Sequence, residues 1–214
     1  MGSSSESAQL VAALHGMSSA QLSPGASGNA SVKTSDGGML ISATGQVAAN
    51  ASPAELVYIS PDGQIAGGQL KPSSEWHMHW QIYQDHQNAG GIVHCHSRFA
   101  TVLACQRREI PAFHYMVAIA GGNSIPCAPY AIYGSKELSE LVSLALSDRK
   151  ACLLANHGQI AYSSDPIRAL ALAKEVEELA ANYYFSLQNG GPSLLSEQEM
   201  CDVLAQYANY GRQT

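Results

Sequence analysis

Charge is scarce in this sequence. Only 13% of its 214 residues are Asp, Glu, Lys or Arg, and 17 acidic residues outnumber 11 basic ones, for a formal net charge of −6. No basic stripe exists that would draw a polyanion, which excludes nucleic acid as a partner. A small anionic ligand would have to be met by local hydrogen-bond donors or by a metal. No run of 18 apolar residues occurs, so neither a membrane-spanning helix nor a membrane partner is expected. The opening MGSSSESAQL has no basic segment followed by an apolar one, so no secretory signal is expected either. The five cysteines are odd in number, scattered and never spaced as CxxC, which reads as reduced thiols in a cytoplasmic protein. Repeats, linkers and low-complexity blocks are missing too. With 46% apolar residues, the chain has material for a real core, and a single domain over residues 1–214 is expected.

What is present alternates between two periods. SAQLVAALHGM places Leu10, Val11 and Leu14 on one helical stripe. GNASVKTSDGGMLISATG alternates around Asp36-Gly37, and LVYISPDGQIAG around Asp62-Gly63, so each predicts a β-hairpin. KPSSEWHMHWQIYQDH opens a helix in which Glu75 falls in the first turn; GGIVHCHS is a short strand and RFATVLACQ a helix. KACLLANHGQIAYS gives two strands meeting at Asn156-His157-Gly158. A long helix starts at the Asp165 cap with Pro166 in first position, and a last one at the Ser196/Glu199 capping box. The fold expected is α/β: a central, largely antiparallel sheet with helices on both faces.

Side chains two apart on a strand share a face, so His94 and His96 can point at one atom while Cys95 points away. An isolated HxH fits a hydrogen-bonded polar layer as well as it fits a metal site. His157, at a strand end beside Gly158, adds a third imidazole, and three imidazoles with one exchangeable position is the pattern of catalytic zinc. Cobalt, manganese or iron would suit a similar set. Glu75 either complements the helix dipole or ligates the metal and acts as a base once substrate displaces it. His77 and His79 in the same helix lie about 200° apart, cannot converge on one metal, and read as surface or core residues. Ser73 and Ser74 at the helix start can receive a phosphate, with small donors from SGNAS and ATGQ nearby.

Taken together, GNASV, ISATG, KPSSEWHMH, IVHCH, IPAFHYMVAIAGGNSIPCAPYAIYG, KACLLANHG and LAKEVEELA resemble the class II aldolase/adducin-head family, over roughly Gly28 to Gly211. The HxH-plus-NHG set marks the family broadly, and the HYM…AGGNSIPCAPY block points to its fuculose-phosphate-cleaving branch. The resemblance implies a zinc ion on His94, His96 and His157, with Glu75 as acid/base at the metal. It implies phosphate binding by Asn29, Thr44, Gly45, Ser73 and Ser74. It makes Tyr115 a proton donor reaching in from a neighbouring subunit, Tyr210 part of a mobile tail over the pocket, and Tyr133 the contact to the aldehyde, where an apolar aromatic would be expected. The implied reaction is reversible cleavage of a ketose 1-phosphate, L-fuculose 1-phosphate in that branch, to dihydroxyacetone phosphate and L-lactaldehyde. The implied assembly is a homotetramer with shared active sites. Alternatives within the family are a sugar-phosphate 4-epimerase, a dehydratase or a decarboxylase. The adducin-type interaction module without metal ligands is disfavoured, because all three histidines and Glu75 are present.

Overall fold

The computed structural model describes residues 4–207. Seven strands form one sheet: β1 (Asn29–Lys33), β2 (Met39–Ser42), β3 (Leu56–Ile59), β4 (Gly91–Cys95), β5 (Cys127–Ala128), β6 (Ala151–Leu154) and β7 (Gly158–Ser163). Their order is β3-β2-β1-β4-β7-β6-β5, antiparallel throughout except for the β5–β6 pair. Six α-helices accompany them among the described residues: α1 (Ser4–Ser19), α2 (Trp76–Asp85), α3 (Arg98–Cys105), α4 (Lys136–Ala145), α5 (Pro166–Gln188) and α6 (Glu197–Tyr207). None is long and apolar enough to cross a membrane.

Period-2 alternation divides the core. Ala30, Val32, Leu40, Val93, Cys95, Leu153 and Ala161 face α1, α3 and α5 on one side. Met39, Ile41, Ile59, Ile92, Cys152, Leu154 and Ile160 face α2 and α4 on the other. Burying both faces under helices is what makes the strands apolar on both sides, and this is the expected sheet with helices on both faces. The caps at Asp165 and at Ser196/Glu199 form as expected: Asp165 Oδ1 accepts from Arg168 N at 2.8 Å, and Glu199 Oε2 from Ser196 N at 2.7 Å.

Two expectations need correction. The Asp36-Gly37 hairpin forms with Lys33 opposite Met39, but the Asp62-Gly63 hairpin does not gain a second strand. Only a single bridge, Ile59 to Ile65, flanks its turn. The Gln69 side chain takes that strand's place on the β3 edge, accepting from Tyr58 N at 2.8 Å and donating to Tyr58 O at 3.2 Å. An amide group thus satisfies the edge backbone that a strand would have paired. Helix α4, capped by Ser135 on Leu138 N and burying Leu138 and Val142, lies in a stretch where the sequence pattern predicts no element.

Pairing at the centre of the sheet fixes the direction of the first histidine. Asn29 stands opposite His94, and His94 opposite Ile160. The strand parity that puts Ile92 on the α2 side puts His94 there too.

Candidate active site

β4 ends at Cys95, so His94 is its penultimate residue and His96 lies just beyond the strand rather than within it. The two imidazoles still converge, Nε2 to Nε2, at 3.1 Å. His157 comes from the turn between β6 and β7, where Asn156 holds a left-handed φ of 57° that asparagine tolerates better than most residues. The three ring centroids stand 4.8–5.0 Å apart, with interplanar angles of 68–73°. Two glycines permit this closeness. A Cβ on Gly28 would lie 2.9 Å from the His94 carbonyl, and one on Gly158 would lie 2.4 Å from the Cys95 carbonyl and 2.9 Å from the His96 ring.

Glu75 occupies the N-cap position of α2 instead of its first turn, and its side chain makes no cap hydrogen bond. The carboxylate turns into the histidine cluster. Oε2 is 3.0 Å from His94 Nε2 and accepts from Asn29 Nδ2 at 3.2 Å, while Oε1 is 3.4 Å from His157 Nε2. One ligand atom from each of Glu75, His94, His96 and His157 lies within 4.8 Å of the others.

The donor chemistry fits a divalent ion. His94 Nδ1 donates to the Gln159 carbonyl at 2.9 Å, which fixes the tautomer and leaves the Nε2 lone pair on the cluster side. Burial first, then the charges of His94 and His157, pushes His96 down to about 4; burial and His94 push His157 down to about 4 as well. Both rings are therefore neutral donors at neutral pH. Burial works against the charged forms of Glu75 and His94. Their mutual attraction overcomes it, holding the carboxyl well below the usual carboxylate range and raising His94. Buried Glu75 Oε1 accepts no hydrogen bond. Three borderline nitrogens and one carboxylate oxygen converging on one place are a set for zinc or a neighbouring transition metal.

The cluster opens onto a cavity of about 380 Å³. Asn29, Thr44, Gly45, Ser73 and Ser74 line it as a group, and Tyr130 and Tyr133 line it as well. Among the described residues no Lys or Arg lines it. Asn29 already gives one amide proton to Glu75, leaving the second for another acceptor. Tyr115 is placed elsewhere: it is 53% exposed and borders a second cavity with Met116, Val203, Gln206 and Tyr207. It does not line the site of its own chain. Tyr210 lies outside the described residues. His77 is exposed and His79 fully buried, the surface and core positions expected of them. Sequence reasoning gave no site role to Tyr130, although it closes the AGGNSIPCAPY block, or to the Gln159 carbonyl, which as a backbone atom has no side-chain signature.

The comparisons with known proteins agree with this geometry. Residues 8–184 match the model of the Class II Aldolase and Adducin N-terminal domain. The chain is 45% identical over 202 residues to the 5-methylthioribulose-1-phosphate/5-deoxyribulose-1-phosphate aldolase of Rhodospirillum rubrum, covering 94% of this chain and 90% of that protein. It is 46% identical over 191 residues to the L-fuculose phosphate aldolase of Escherichia coli K12, covering 89% and 88%. A solved L-fuculose 1-phosphate aldolase superposes with a TM-score of 0.92 at 34% identity, over 97% of this chain and 98% of that one. With the family model spanning most of its length and a histidine–carboxylate cluster at the sheet's centre, this chain belongs to the class II aldolase and adducin N-terminal domain family.

Proposed function

We propose that this protein is a zinc-dependent aldehyde-lyase that reversibly cleaves a ketose 1-phosphate to dihydroxyacetone phosphate and a small aldehyde, with L-fuculose 1-phosphate and L-lactaldehyde as the pair. The observation that carries this reading is the Glu75/His94/His96/His157 cluster, which opens onto a cavity whose lining includes small polar residues. A divalent ion held there supplies a Lewis acid for the charge that develops on the ketone oxygen when the carbon–carbon bond breaks.

The chain's own residues do the rest. Ser73, Ser74, Thr44, Gly45 and Asn29 offer neutral donors for the phosphate. In a chain of net charge −6 they bind it by geometry rather than by a basic field. Holding the phosphate away from the reacting carbons orients the substrate. Glu75 stays ionised beside the histidines. In the condensation direction it takes the proton from the carbon of dihydroxyacetone phosphate that becomes the nucleophile. Tyr115 of a neighbouring subunit gives its phenolic proton to the aldehyde oxygen, and cleavage reverses both transfers. This requires a ring of subunits, a homotetramer in our reading, in which the exposed Tyr115 reaches an adjacent site. The five free cysteines suit a reducing compartment, and we place the enzyme in the cytoplasm.

A second substrate has a specific observation in its favour. The Rhodospirillum relative is named for 5-methylthioribulose and 5-deoxyribulose 1-phosphates, and Tyr130, Ala131 and Tyr133, which line the cavity here, are uncharged. An uncharged aldehyde end is common to all three ketoses. The test is a coupled assay for dihydroxyacetone phosphate with each of them. Release from L-fuculose 1-phosphate at the highest kcat/KM supports the reading, and a preference for a 5-substituted ribulose transfers it to that substrate. A 4-epimer formed without dihydroxyacetone phosphate would replace it with an epimerase.

A further inference from the structure

His79 is fully buried on α2, four residues after Glu75. Its Nδ1 lies 2.8 Å from Ser31 Oγ, and the same hydroxyl lies 2.8 Å from Tyr83 OH. Its Nε2 has no hydrogen-bond partner. The surrounding cluster, including Met39, Ile41, Ile82 and Ile92, is apolar. A leucine would fill such a place without the cost of desolvating an imidazole, so the polar chain is not explained by core packing alone.

Its geometry comes from two matching repeats. On β1, Asn29 and Ser31 share a face about 6.6 Å apart. On α2, positions 75, 79 and 83 succeed one another on nearly one face, about 6 Å per step. The strand and the helix can therefore meet rung by rung, and they do: Asn29 bonds to Glu75, and Ser31 to His79 and Tyr83. One proton order satisfies both contacts of the chain and leaves the His79 Nε2–H as its unpartnered donor. Tyr83 donates to Ser31, Ser31 donates to His79 Nδ1, and the ring proton sits on Nε2. In the reverse order the Tyr83 proton needs an acceptor other than Ser31.

We propose that the Ser31–His79–Tyr83 chain is a positioning device that sets the rotation and register of α2 on β1, and so holds the Glu75 carboxylate at the three imidazoles. The proposal rests on the reading of Glu75 as the residue that moves the proton at this site. His79 itself touches neither substrate nor metal.

The experiment compares Ser31→Ala, His79→Leu and His79→Asn in the metal-loaded full chain. Ser31→Ala and His79→Leu should each lower kcat tenfold or more, with KM for the ketose 1-phosphate within twofold and one metal ion retained per chain. His79→Asn keeps an acceptor for the Ser31 proton and should recover most of kcat. Cobalt substitution gives a readout independent of turnover, because its visible absorption reports the arrangement of donors. The band should shift in the Ala and Leu variants and return in His79→Asn. Unchanged kcat and band in both Ser31→Ala and His79→Leu, with only a lowered Tm, would overturn the proposal. If His79→Leu fails to fold, Ser31→Ala decides, since it removes the rung and keeps the ring. Should Glu75→Gln retain full turnover while the cobalt band still shifts in Ser31→Ala, the acid/base reading of Glu75 fails and the positioning stands.

Discussion

His94 Nε2 and Glu75 Oε2 face each other across 3.0 Å, and once His94 Nδ1 donates to the Gln159 carbonyl both facing atoms carry lone pairs. Two acceptors at that distance require a positive charge between them. A proton serves when nothing else is bound, and a metal ion serves better because His96 and His157 Nε2 converge on the same place. Each purified chain should therefore hold one divalent ion by elemental analysis. Chelation should abolish turnover and added zinc should restore it. His96→Ala or His157→Ala should lower metal occupancy at fixed free zinc. Full turnover in metal-free protein would rule the site out as a catalytic centre.

Glu75→Gln is the test of the carboxylate's second role. The amide can still face the imidazoles, and the Asn29 rung loses only its charge. Metal content should stay near that of the wild type, while kcat falls by about 10² to 10⁴, the usual worth of a general base. A variant that is merely metal-free would make Glu75 a structural ligand instead.

The cavity's small donors predict a KM effect. Ser73→Ala/Ser74→Ala should raise KM for the ketose 1-phosphate by tenfold or more and change kcat less, because phosphate anchoring acts away from the reacting carbons. Inorganic phosphate should compete with substrate in the wild type and lose potency in the double variant. An unphosphorylated ketose turned over as well as its phosphate would contradict the assignment of Ser73 and Ser74.

How much of this was legible depended on which atoms do the work. His94, His96 and His157 were readable because imidazole is a rare residue type, though strand parity fixes the direction of His94 alone, with His96 past the strand's end and His157 in a turn. The central antiparallel sheet was readable because its strands alternate and its helices carry their own caps. The second hairpin misled because Asp62-Gly63 is a good turn, whereas the strand it should join is replaced by the side chain of Gln69, which is near in space and has no pattern. Glu75 was one residue outside the helix that seemed to contain it, since the N-cap is set by backbone dihedrals. The orientation of His94 depends on a carbonyl 65 residues away, and no local pattern marks a backbone acceptor.

Burial of His79 gives a pH dependence of stability. Its folded pKa is pushed from 6.5 to about 3, mainly by burial and next by the His94 charge, against the pull of Glu75. The unfolded chain therefore binds a proton below pH 6.5 that the folded chain refuses. The stabilising share of this residue is full above pH 6.5 and is lost as pH falls toward 3, at about 1.4 kcal/mol per pH unit. Urea unfolding at pH 6.5, 5.5 and 4.5 should show a steeper decline for wild type than for His79→Asn, by about one proton. Parallel slopes would mean that His79 titrates normally in the folded state.

The last prediction concerns where the aldehyde's proton comes from. Tyr115 is 53% exposed and borders a cavity with Met116 and Tyr207, apart from the residues that line its own chain's site. If it acts across a subunit boundary, Glu75→Gln and Tyr115→Phe damage different chains of the same site. Unfolded together in equal amounts and refolded, the two variants should pair an intact Glu75 with a neighbour's intact Tyr115 at roughly a quarter of the sites of a cyclic ring. Activity should rise to about that fraction of wild type, well above either parent refolded alone. Subunit exchange is checked separately by mass labelling one variant. A mixture that has exchanged subunits and yet shows only the mean of the two parents would place the function of Tyr115 within its own chain, or outside the reaction altogether.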